Sequence, residues 1–340
     1  MSQTYSEIMN TPDALQQTLA YLDREWPAIA RYLSGKKRFV FLGCGSSFSL
    51  ARSMSVMTQM HTGLFSVALA AGDLLLHAPR YAGILQDAAV ICISRSGHTS
   101  EINMALDAIK PFGAAPAAMV CAGGTPLEER CELTLNMPWA FDESVCQTRT
   151  VTNFYFAAAY ILARQLANQA LLDELTYIAG NCREYLLDVE RLARDMAEHP
   201  WTHCVVLADA ELEGIADEGA LAFKEICQLP SNYYHLLDAR HGPLVLLGEK
   251  NLVLAALGVP HEMEYNLLRD IKNKGAQVVA FSDDCAGPDG IIFSCFGRPL
   301  SHIAKGIPFI ILCQMISYYK SKVTGANPDK PTGLDPWISL

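Results

Sequence analysis

Short apolar runs of strand length alternate with amphipathic stretches along most of the chain. In the first half this pattern predicts strands at 38–43, 65–70, 88–94, 116–121 and 133–137, with helices between them. In the second half it predicts strands at 203–208, 252–257, 277–281 and 291–294, and helices at 214–229, 261–274 and 306–323. Such alternation is typical of a parallel sheet covered on both faces. We therefore predict an α/β fold with two doubly wound parallel sheets in tandem.

The segments that flank these two regions differ in pattern. Residues 1–35 have helical spacing of apolar positions, 36–167 form the first domain, and a helical connector at 168–198 leads to the second domain at 199–325. The tail, 326–340, is rich in proline and glycine, so it forms neither a helix nor a central strand. It is either a loose end or an extended segment that covers a site.

Composition narrows the class of protein. Of the 340 residues 51% are apolar and 18% are charged, which fits a globular chain, and the formal net charge is −10. Binding to nucleic acid or to an anionic membrane surface relies on basic patches, so neither partner is expected. We find no run of about 18–20 apolar residues and no signal peptide pattern at the N-terminus. The cysteines are odd in number and lack a Cys-x-x-Cys pair. We expect no metal site, no disulfide framework and a cytoplasmic location.

Two strand-to-helix turns are rich in glycine and hydroxyl groups. The strand at 38–43 ends at Gly43-Cys-Gly-Ser-Ser47, and a helix follows. The strand at 88–94 ends at Ser94-Arg-Ser-Gly-His-Thr99, again before a helix. Such turns direct backbone N–H groups and hydroxyls to one point, which suits a phosphate. One turn alone is also compatible with an ordinary strand-to-helix connection, but two in neighbouring βα units favour a shared phosphate site.

A polar link at 142–153 leads into a long apolar helix. Two interpretations are open for it. It is either a helix cap with a solvated face or a third wall of the ligand site, with Thr148 and Thr150 as donors.

Carboxylates and a histidine in the second half are candidates for proton transfer. Glu218 and Glu225 share one face of a predicted helix, with Ala222 between them. His241 precedes Gly242-Pro243 on a turn. Together with a phosphate anchor, a carboxylate and an imidazole suit proton shuttling on a sugar. From spacing alone, the simpler interpretation is a surface carboxylate and a turn histidine.

In these motifs the chain resembles the SIS (sugar isomerase) family, specifically two-domain members such as the isomerase half of glucosamine-6-phosphate synthase. Four motifs match in order from about residue 36 onward: the two turns, Glu218-Gly-Ala-Leu…Lys-Glu225, and His241-Gly-Pro243. The resemblance implies two flavodoxin-like SIS domains of three αβα layers. It also implies that the site needs no metal and no organic cofactor.

The resemblance assigns roles by position. Glu225 would move a proton between C1 and C2, and His241 would assist ring opening, often from the neighbouring subunit, which implies at least a homodimer with shared active sites. The substrate phosphate would be held by Ser46, Ser47, Ser94, Ser96 and Thr99. The substrate would also be lined by Gly45, Gly97, Val145, Thr148 and Glu218.

Three departures from the synthase bear on the reaction. The chain begins at Met1-Ser2 without an amidotransferase domain, so we expect no glutamine-dependent synthesis. The catalytic helix has Ala222 where the synthase has a lysine, and the tail at Thr332–Pro336 lacks the synthase's closing lysine. A site without these two amines has room for a bulkier substituent at C1 or C2.

This pattern is similar to the SIS deglycases, which cleave 6-phosphorylated Amadori compounds such as fructoselysine 6-phosphate. The resemblance thus implies an enzyme that releases glucose 6-phosphate and a free amine. An aldose–ketose isomerase or an amino-sugar-phosphate deaminase on the same scaffold is the nearest alternative. A non-catalytic sugar-phosphate sensor is the third.

Overall fold

A computed structural model describes residues 2–258 and 262–335. Within this part the chain forms two compact units. The first unit comprises Asn10–Glu143 and Gln147–Gly180. The second unit comprises the residues up to Met9, Ser144–Cys146 and Asn181–Leu334. Each unit contains one five-stranded sheet.

The strands and helices alternate as the apolar pattern predicts. The strands are β1 (Arg38–Gly43), β2 (Phe65–Ala70), β3 (Ala89–Ile93), β4 (Ala115–Val120), β5 (Leu133–Asn136), β6 (His203–Leu207), β7 (Ser231–Tyr234), β8 (Asn251–Ala256), β9 (Gln277–Phe281) and β10 (Ile292–Ser294). The helices are α1 (Gln3–Met9), α2 (Thr11–Leu33), α3 (Ser46–Thr62), α4 (Ala71–His77), α5 (Ala82–Leu85), α6 (Ser100–Ile109), α7 (Arg149–Gln165), α8 (Gln169–Glu198), α9 (Glu213–Ile226), α10 (Glu262–Asn273) and α11 (His302–Thr324). Every predicted strand is confirmed to within one residue at either end.

Several details differ from the prediction. Helix α9 ends at Ile226 rather than at 229, since Gln228 has φ of +54°. Helix α7 begins at Arg149, inside the polar link predicted at 142–153. The short strand β7 was not predicted, because its Ser-Asn-Tyr-Tyr sequence lacks an apolar run. Helix α11 begins at His302 rather than at 306, after Ser301 in extended conformation. The predicted start of the preceding helix at 261 lies outside the described residues, and α10 is described from Glu262.

The sheet of the first unit is entirely parallel, in the order β2-β1-β3-β4-β5. Val40 and Leu42 of β1 lie on the face that packs against α4 and α6 in one buried core. Phe39 and Phe41 alternate with them on the opposite face, toward α2, α3 and α7. Burial on both faces explains why these strands are continuous apolar runs.

The sheet of the second unit repeats this topology, in the order β10-β9-β8-β6-β7 and again entirely parallel. Counted from its first strand, β6, the order is the same as in the first unit. Val205 and Val253 pack with Leu268 of α10 in one core. The predicted α/β class with two doubly wound sheets is confirmed.

The C-terminal segment 326–335 contains no helix or strand in the part of it that the structure describes. The carboxylate of Asp329 accepts hydrogen bonds from the backbone N–H groups of Gln3, at 3.1 Å, and Thr4, at 2.9 Å. This segment is therefore anchored to α1 within the second unit. The last residues of the predicted tail, 336–340, lie outside the described residues.

One disulfide corrects the expectation drawn from the cysteine pattern. Cys285 and Cys295 are bonded, with their Cα atoms 5.5 Å apart. They follow β9 and β10, which are neighbouring strands, so the fold brings together two residues that no spacing motif marks. Nine other cysteines are free, most of them buried.

Candidate functional site

The first hydroxyl-rich turn connects β1 to α3 and is tightly packed. A Cβ atom on Gly43 would lie 2.4 Å from the backbone carbon of Ser47, so only glycine fits at the end of the strand. Gly45 has φ of +53°, in the left-handed region, and opens the helix. Ser46 and Ser47 occupy the first turn of α3 and are buried.

The second turn connects β3 to α6 and is held by its own hydroxyls. The Oγ of Ser94 accepts a hydrogen bond from the N–H of Gly97 (3.1 Å) and lies 3.0 Å from the Oγ1 of Thr99. The Oγ of Ser96 accepts the N–H of His98 at 3.2 Å. These contacts fix the turn before a ligand binds. Such preorganisation lowers the cost of ordering on binding.

The fold brings the two turns to the same edge of the sheet. β1 and β3 are hydrogen-bonded neighbours, with Leu42 opposite Cys92, and both turns follow the carboxyl ends of these strands. β2, the next strand in the chain, lies on one side of β1, and β3 lies on the other side. The direction of the strand order therefore reverses between β1 and β3, which makes this the topological switch point of the sheet. Ligands of open α/β sheets bind at such a point. The geometry therefore supports a shared anion site for Ser46, Ser47, Ser94, Ser96 and Thr99.

A third loop at this edge was missed by the sequence analysis. A Cβ on Gly97 would lie 2.4 Å from the Oγ1 of Thr125, which belongs to the loop after β4. In that loop the carboxylate of Glu128 accepts the N–H of Gly124 at 2.6 Å. The signal was present in the sequence, because Cys121-Ala-Gly-Gly-Thr125 follows a predicted strand in the same way as the other two turns.

The start of α7 is capped by a buried carboxylate. The Oδ2 of Asp142 accepts the backbone N–H groups of Thr148 (2.7 Å) and Thr150 (2.9 Å). The hydroxyl of Thr150 donates to the carbonyl oxygen of Ala140 at 2.6 Å. These contacts support the helix-cap interpretation of the link at 142–153 for these two N–H groups and for the Thr150 hydroxyl.

A buried arginine connects the second turn to this cap. Arg95 donates through Nη1 to the carbonyl oxygen of Asp142 at 3.1 Å, and its guanidinium lies 5.7 Å from the centre of the Phe141 ring. The Nε of Arg149 lies 3.5 Å from the Oδ1 of Asp142. Both guanidinium groups thus contact Asp142 behind the second turn, Arg149 at the carboxylate and Arg95 at the backbone carbonyl oxygen.

Cys44, between the two glycines of the first turn, remains a thiol. Burial, and next the charge of Glu101, raise the pKa of Cys44 to about 11. A thiol of that pKa is protonated at neutral pH and is a poor nucleophile. This part of the turn is suited to binding and not to covalent chemistry.

Val145 lies in the second unit, apart from the residues on either side of its short segment. Its N–H donates to the carbonyl oxygen of Asp329 at 3.0 Å. The neighbouring Ser144 donates its N–H to the carboxylate of Glu7 at 3.0 Å. Segment 144–146 is therefore joined to both α1 and the C-terminal segment.

The predicted carboxylates both lie on α9 but in different surroundings. Glu218 is 1% exposed, and its neighbour Gly219 faces Cys313 of α11, since a Cβ there would lie 2.9 Å from the Cys313 sulfur. Glu225, two turns further along, is only partly buried. Glu218 thus belongs to the packed interior of the unit, whereas Glu225 is partly exposed.

His241 is exposed and follows a single turn of 3₁₀ helix at Leu237–Arg240. Its N–H donates to the carbonyl oxygen of Asp238 at 2.8 Å. Gly242 has φ of +125°, which a residue with a Cβ rarely adopts. The turn thus fixes the backbone and leaves the imidazole accessible. The joint action of Glu225 and His241 with the hydroxyls of the first unit stays a prediction.

No three His, Cys, Asp or Glu side chains within 2–258 and 262–335 are arranged to hold a metal ion. No helix in the same part of the chain is both long and apolar enough to cross a bilayer.

Part of the first unit matches a known protein family. Residues 32–163 match the SIS domain family. Glutamine–fructose-6-phosphate aminotransferase of Pseudomonas aeruginosa is 24% identical over 98% of this chain, which spans 58% of that relative's length. D-galactosamine-6-phosphate deaminase of a Shewanella species is 26% identical over 86% of this chain and 77% of its own.

Solved structures share the fold. Glucosamine-6-phosphate deaminase of Thermotoga maritima superimposes with a TM-score of 0.85 at 22% identity, over 100% of both chains. Tagatose-6-phosphate ketose/aldose isomerase of Escherichia coli gives a TM-score of 0.86 at 21% identity, over 99% of this chain and 97% of its own.

Proposed function

Because residues 32–163 form a SIS domain and the chain is homologous to phosphosugar-processing enzymes of that family, we propose that this protein is a phosphosugar enzyme that splits a carbon–nitrogen bond. The observation that carries the proposal is the pair of hydroxyl-rich turns after β1 and β3, at the switch point of the first sheet. A phosphate dianion at this point would accept hydrogen bonds from serine and threonine hydroxyls and face the positive ends of α3 and α6.

We propose a deglycase reaction on a 6-phosphorylated ketosamine. His241 assists opening of the sugar ring, and the carboxylate of Glu225 removes a proton from C1. The same group returns a proton to C2, which converts the enaminol to a Schiff base at C1. Water adds to the Schiff base, and the carbon–nitrogen bond breaks to give glucose 6-phosphate and the free amine. Each step is a proton transfer or a hydration, so general acid–base catalysis suffices.

The choice of a substituted amine is supported by Ala222. It lies one turn before Glu225 on α9, is buried, and carries only a methyl group at the position where the synthase has a lysine. Without an ammonium group at this position, a substrate with a positively charged amine meets less repulsion.

A second candidate is deamination of a 2-amino-2-deoxyaldose 6-phosphate to a ketose 6-phosphate and ammonia. The Shewanella relative, at 26% identity, is named a D-galactosamine-6-phosphate deaminase, and this similarity supports the second candidate. Both candidates need the same phosphate site and the same proton transfer between C1 and C2.

Turnover of defined substrates separates the candidates. We would incubate the purified chain with fructoselysine 6-phosphate, glucosamine 6-phosphate and galactosamine 6-phosphate. Glucose 6-phosphate would be followed with a coupled dehydrogenase, and ammonia would be followed separately. Glucose 6-phosphate from the first substrate is the result we expect. Ammonia from an amino sugar alone would replace the deglycase with the deaminase, and no turnover of any of the three would reject both.

Two variants test the assigned roles. Glu225→Gln should abolish turnover and leave substrate binding, measured by calorimetry, largely intact, since the amide preserves the shape of the side chain but cannot accept a proton.

Ser96→Ala should raise KM more than it lowers kcat, because a phosphate contact acts equally on the ground state and the transition state. The converse pattern in Ser96→Ala would remove this residue from the phosphate site.

We also propose a homodimer that shares active sites. Val245 is 80% exposed and Leu246 is 76% exposed, and both lie shortly after His241-Gly-Pro243, beyond Leu244. An exposed apolar patch next to a predicted catalytic histidine supports an interface with a second copy of the chain at this loop.

A further inference from the structure

The loop that carries His241 is fixed at its start by the carboxylate of Asp209. The Oδ1 of Asp209 accepts a hydrogen bond from the backbone N–H of Leu236 at 3.1 Å. The same oxygen lies 2.9 Å from the Nδ1 of His235. One carboxylate thus binds both the backbone and a side chain at the point where the chain leaves β7 and enters the loop.

The backbone of Asp209 is itself held from α11. The Nε2 of His302, in the first turn of that helix, lies 3.1 Å from the carbonyl oxygen of Asp209, within reach for a hydrogen bond. The His302 ring also packs against Gly258 after β8, since a Cβ there would lie 3.7 Å from its Nδ1. His302 of α11, which packs against Gly258 after β8, therefore holds the backbone of Asp209 in place.

Between this anchor and His241 the loop forms one short turn with its own hydrogen bonds. The N–H of Ala239 donates to the carbonyl oxygen of His235 at 3.0 Å, and the N–H of His241 donates to that of Asp238 at 2.8 Å. At the other end Arg240 pairs with Asp270 of α10. Because the turn is internally hydrogen-bonded, the anchors at its ends set where the imidazole lies.

The position of Asp209 in the topology matches that of the first phosphate turn. β6 has the same place in the strand order of the second sheet as β1 has in the first. The residues that follow each of these two strands lie at the switch point of the sheet. In the first unit this place presents hydroxyls that suit an anion. In the second it presents an anion that binds the chain's own loop.

We propose that Asp209 is the positioning residue for His241, which it holds through the N–H of Leu236 and the imidazole of His235. The proposal rests on the catalytic role proposed for His241 and names the residue that orients it.

Three groups face the imidazole of His235: Asp209, the carboxylate of Glu213 on α9, 3.6 Å from Nε2, and the hydroxyl of Tyr233 on β7, 3.2 Å from the ring nitrogens. The side chain next to the anchored N–H of Leu236 is therefore held from two further elements, α9 and β7.

Amide hydrogen exchange tests the anchor without reference to activity. In Asp209→Ala we expect exchange of the Leu236–His241 amides to be about tenfold faster than in the wild type, the effect of losing roughly one hydrogen bond. Asp209→Asn keeps an acceptor but no charge, so its effect should be smaller. Asp195→Ala, which removes an exposed carboxylate of α8, is the matched control and should leave these amides unchanged. Unchanged exchange in Asp209→Ala would overturn the proposal.

Kinetics then connect the anchor to the reaction. Asp209→Ala should lower kcat about tenfold and leave KM within twofold, because the loop and not the phosphate turns is affected. Faster exchange with an unchanged kcat would show that Asp209 does not position a catalytic group. His241→Ala is measured in parallel. Full activity in that variant would reject the role of His241 itself, while the exchange data would still decide whether Asp209 holds the loop.

Discussion

At the scale of single residues, two glycines in one motif carry different constraints. Gly43 is required for space, because a side chain there would overlap the backbone of Ser47 and Phe48. Gly45 is required for conformation, since its φ is +53° but no heavy atom lies within 4 Å of the place a Cβ would take. A motif comparison treats them alike, whereas the structure separates a packing role from a turn role.

Gly43→Ala and Gly45→Ala should therefore differ in stability. For Gly43→Ala we expect a loss on the order of 3 kcal/mol in the free energy of unfolding, because backbone atoms must shift. For Gly45→Ala we expect a smaller loss of about 1–2 kcal/mol, the cost of an alanine with positive φ. Urea unfolding of both variants measures the difference, and equal losses would contradict the distinction.

At this scale the sequence predicted features whose residues are close together along the chain, and it did not predict contacts between residues that are far apart along it. The turns at Gly43–Ser47 and Ser94–Thr99 were predicted, because their glycines and hydroxyls are local signals. The pair of Asp209 and His235, 26 residues apart, and the contact of Glu7 with Ser144, 137 residues apart, were not. Such pairs depend on the tertiary fold, and no local pattern marks them.

At the scale of elements, the N-terminus of α7 is capped by the carboxylate of Asp142. This carboxylate accepts hydrogen bonds from backbone N–H groups six and eight residues further along the chain. Asp142 is buried and ion-paired with Arg149, so its charge is satisfied by a guanidinium and by the end of the helix. The cap holds the polar link against the second turn.

Asp142→Ala should lower the free energy of unfolding by about 2–3 kcal/mol, since it leaves two helix N–H groups and a partly buried guanidinium without this acceptor. Glu129→Ala, the loss of an exposed carboxylate in the same unit, should change it by less than about 0.5 kcal/mol. Thermal or urea unfolding provides the comparison, and similar effects of the two substitutions would argue against the cap.

Asp329 gives the contact with α1 a pH dependence. Partial burial raises the pKa of Asp329, but hydrogen bonds from Thr4 and Gln3 outweigh it, so the pKa lies below its ordinary value. A depressed pKa contributes stability above the unfolded value of about 3.9, and this contribution is lost as the pH falls through the folded value. The stability difference between the wild type and Asp329→Asn should shrink between pH 7 and pH 3. A difference that stays constant would show that the carboxylate charge is irrelevant there.

The element that sequence analysis missed has a simple physical reason. β7 is an edge strand with only β6 beside it, and two of its four residues are tyrosines of intermediate exposure. Central strands of a parallel sheet must be apolar on both faces, and edge strands need not be. The other edge strands, β2, β5 and β10, carry more apolar residues and were predicted, so it is the polar sequence of β7 that hides it from periodicity.

At the scale of the whole molecule, the proposed dimer gives a direct test of the exposed loop after His241. Replacing Val245 and Leu246 together by glutamate should convert a dimer to a monomer and abolish turnover, because charges at a buried interface are costly. Leu187→Glu, at a residue of α8 that is 52% exposed, is the control and should stay dimeric. Light scattering coupled to size-exclusion chromatography reports the mass. A monomeric wild type, or a dimeric double variant, would rule out this interface.

The hydrogen bond between Gln3 and Asp329 has a consequence for engineering. With a distance of 3.1 Å between their atoms, the start of α1 and the C-terminal segment lie side by side. A circular permutant could therefore join the two through a short glycine-rich linker and open the chain at an exposed loop, with little closure entropy and with both strand orders preserved.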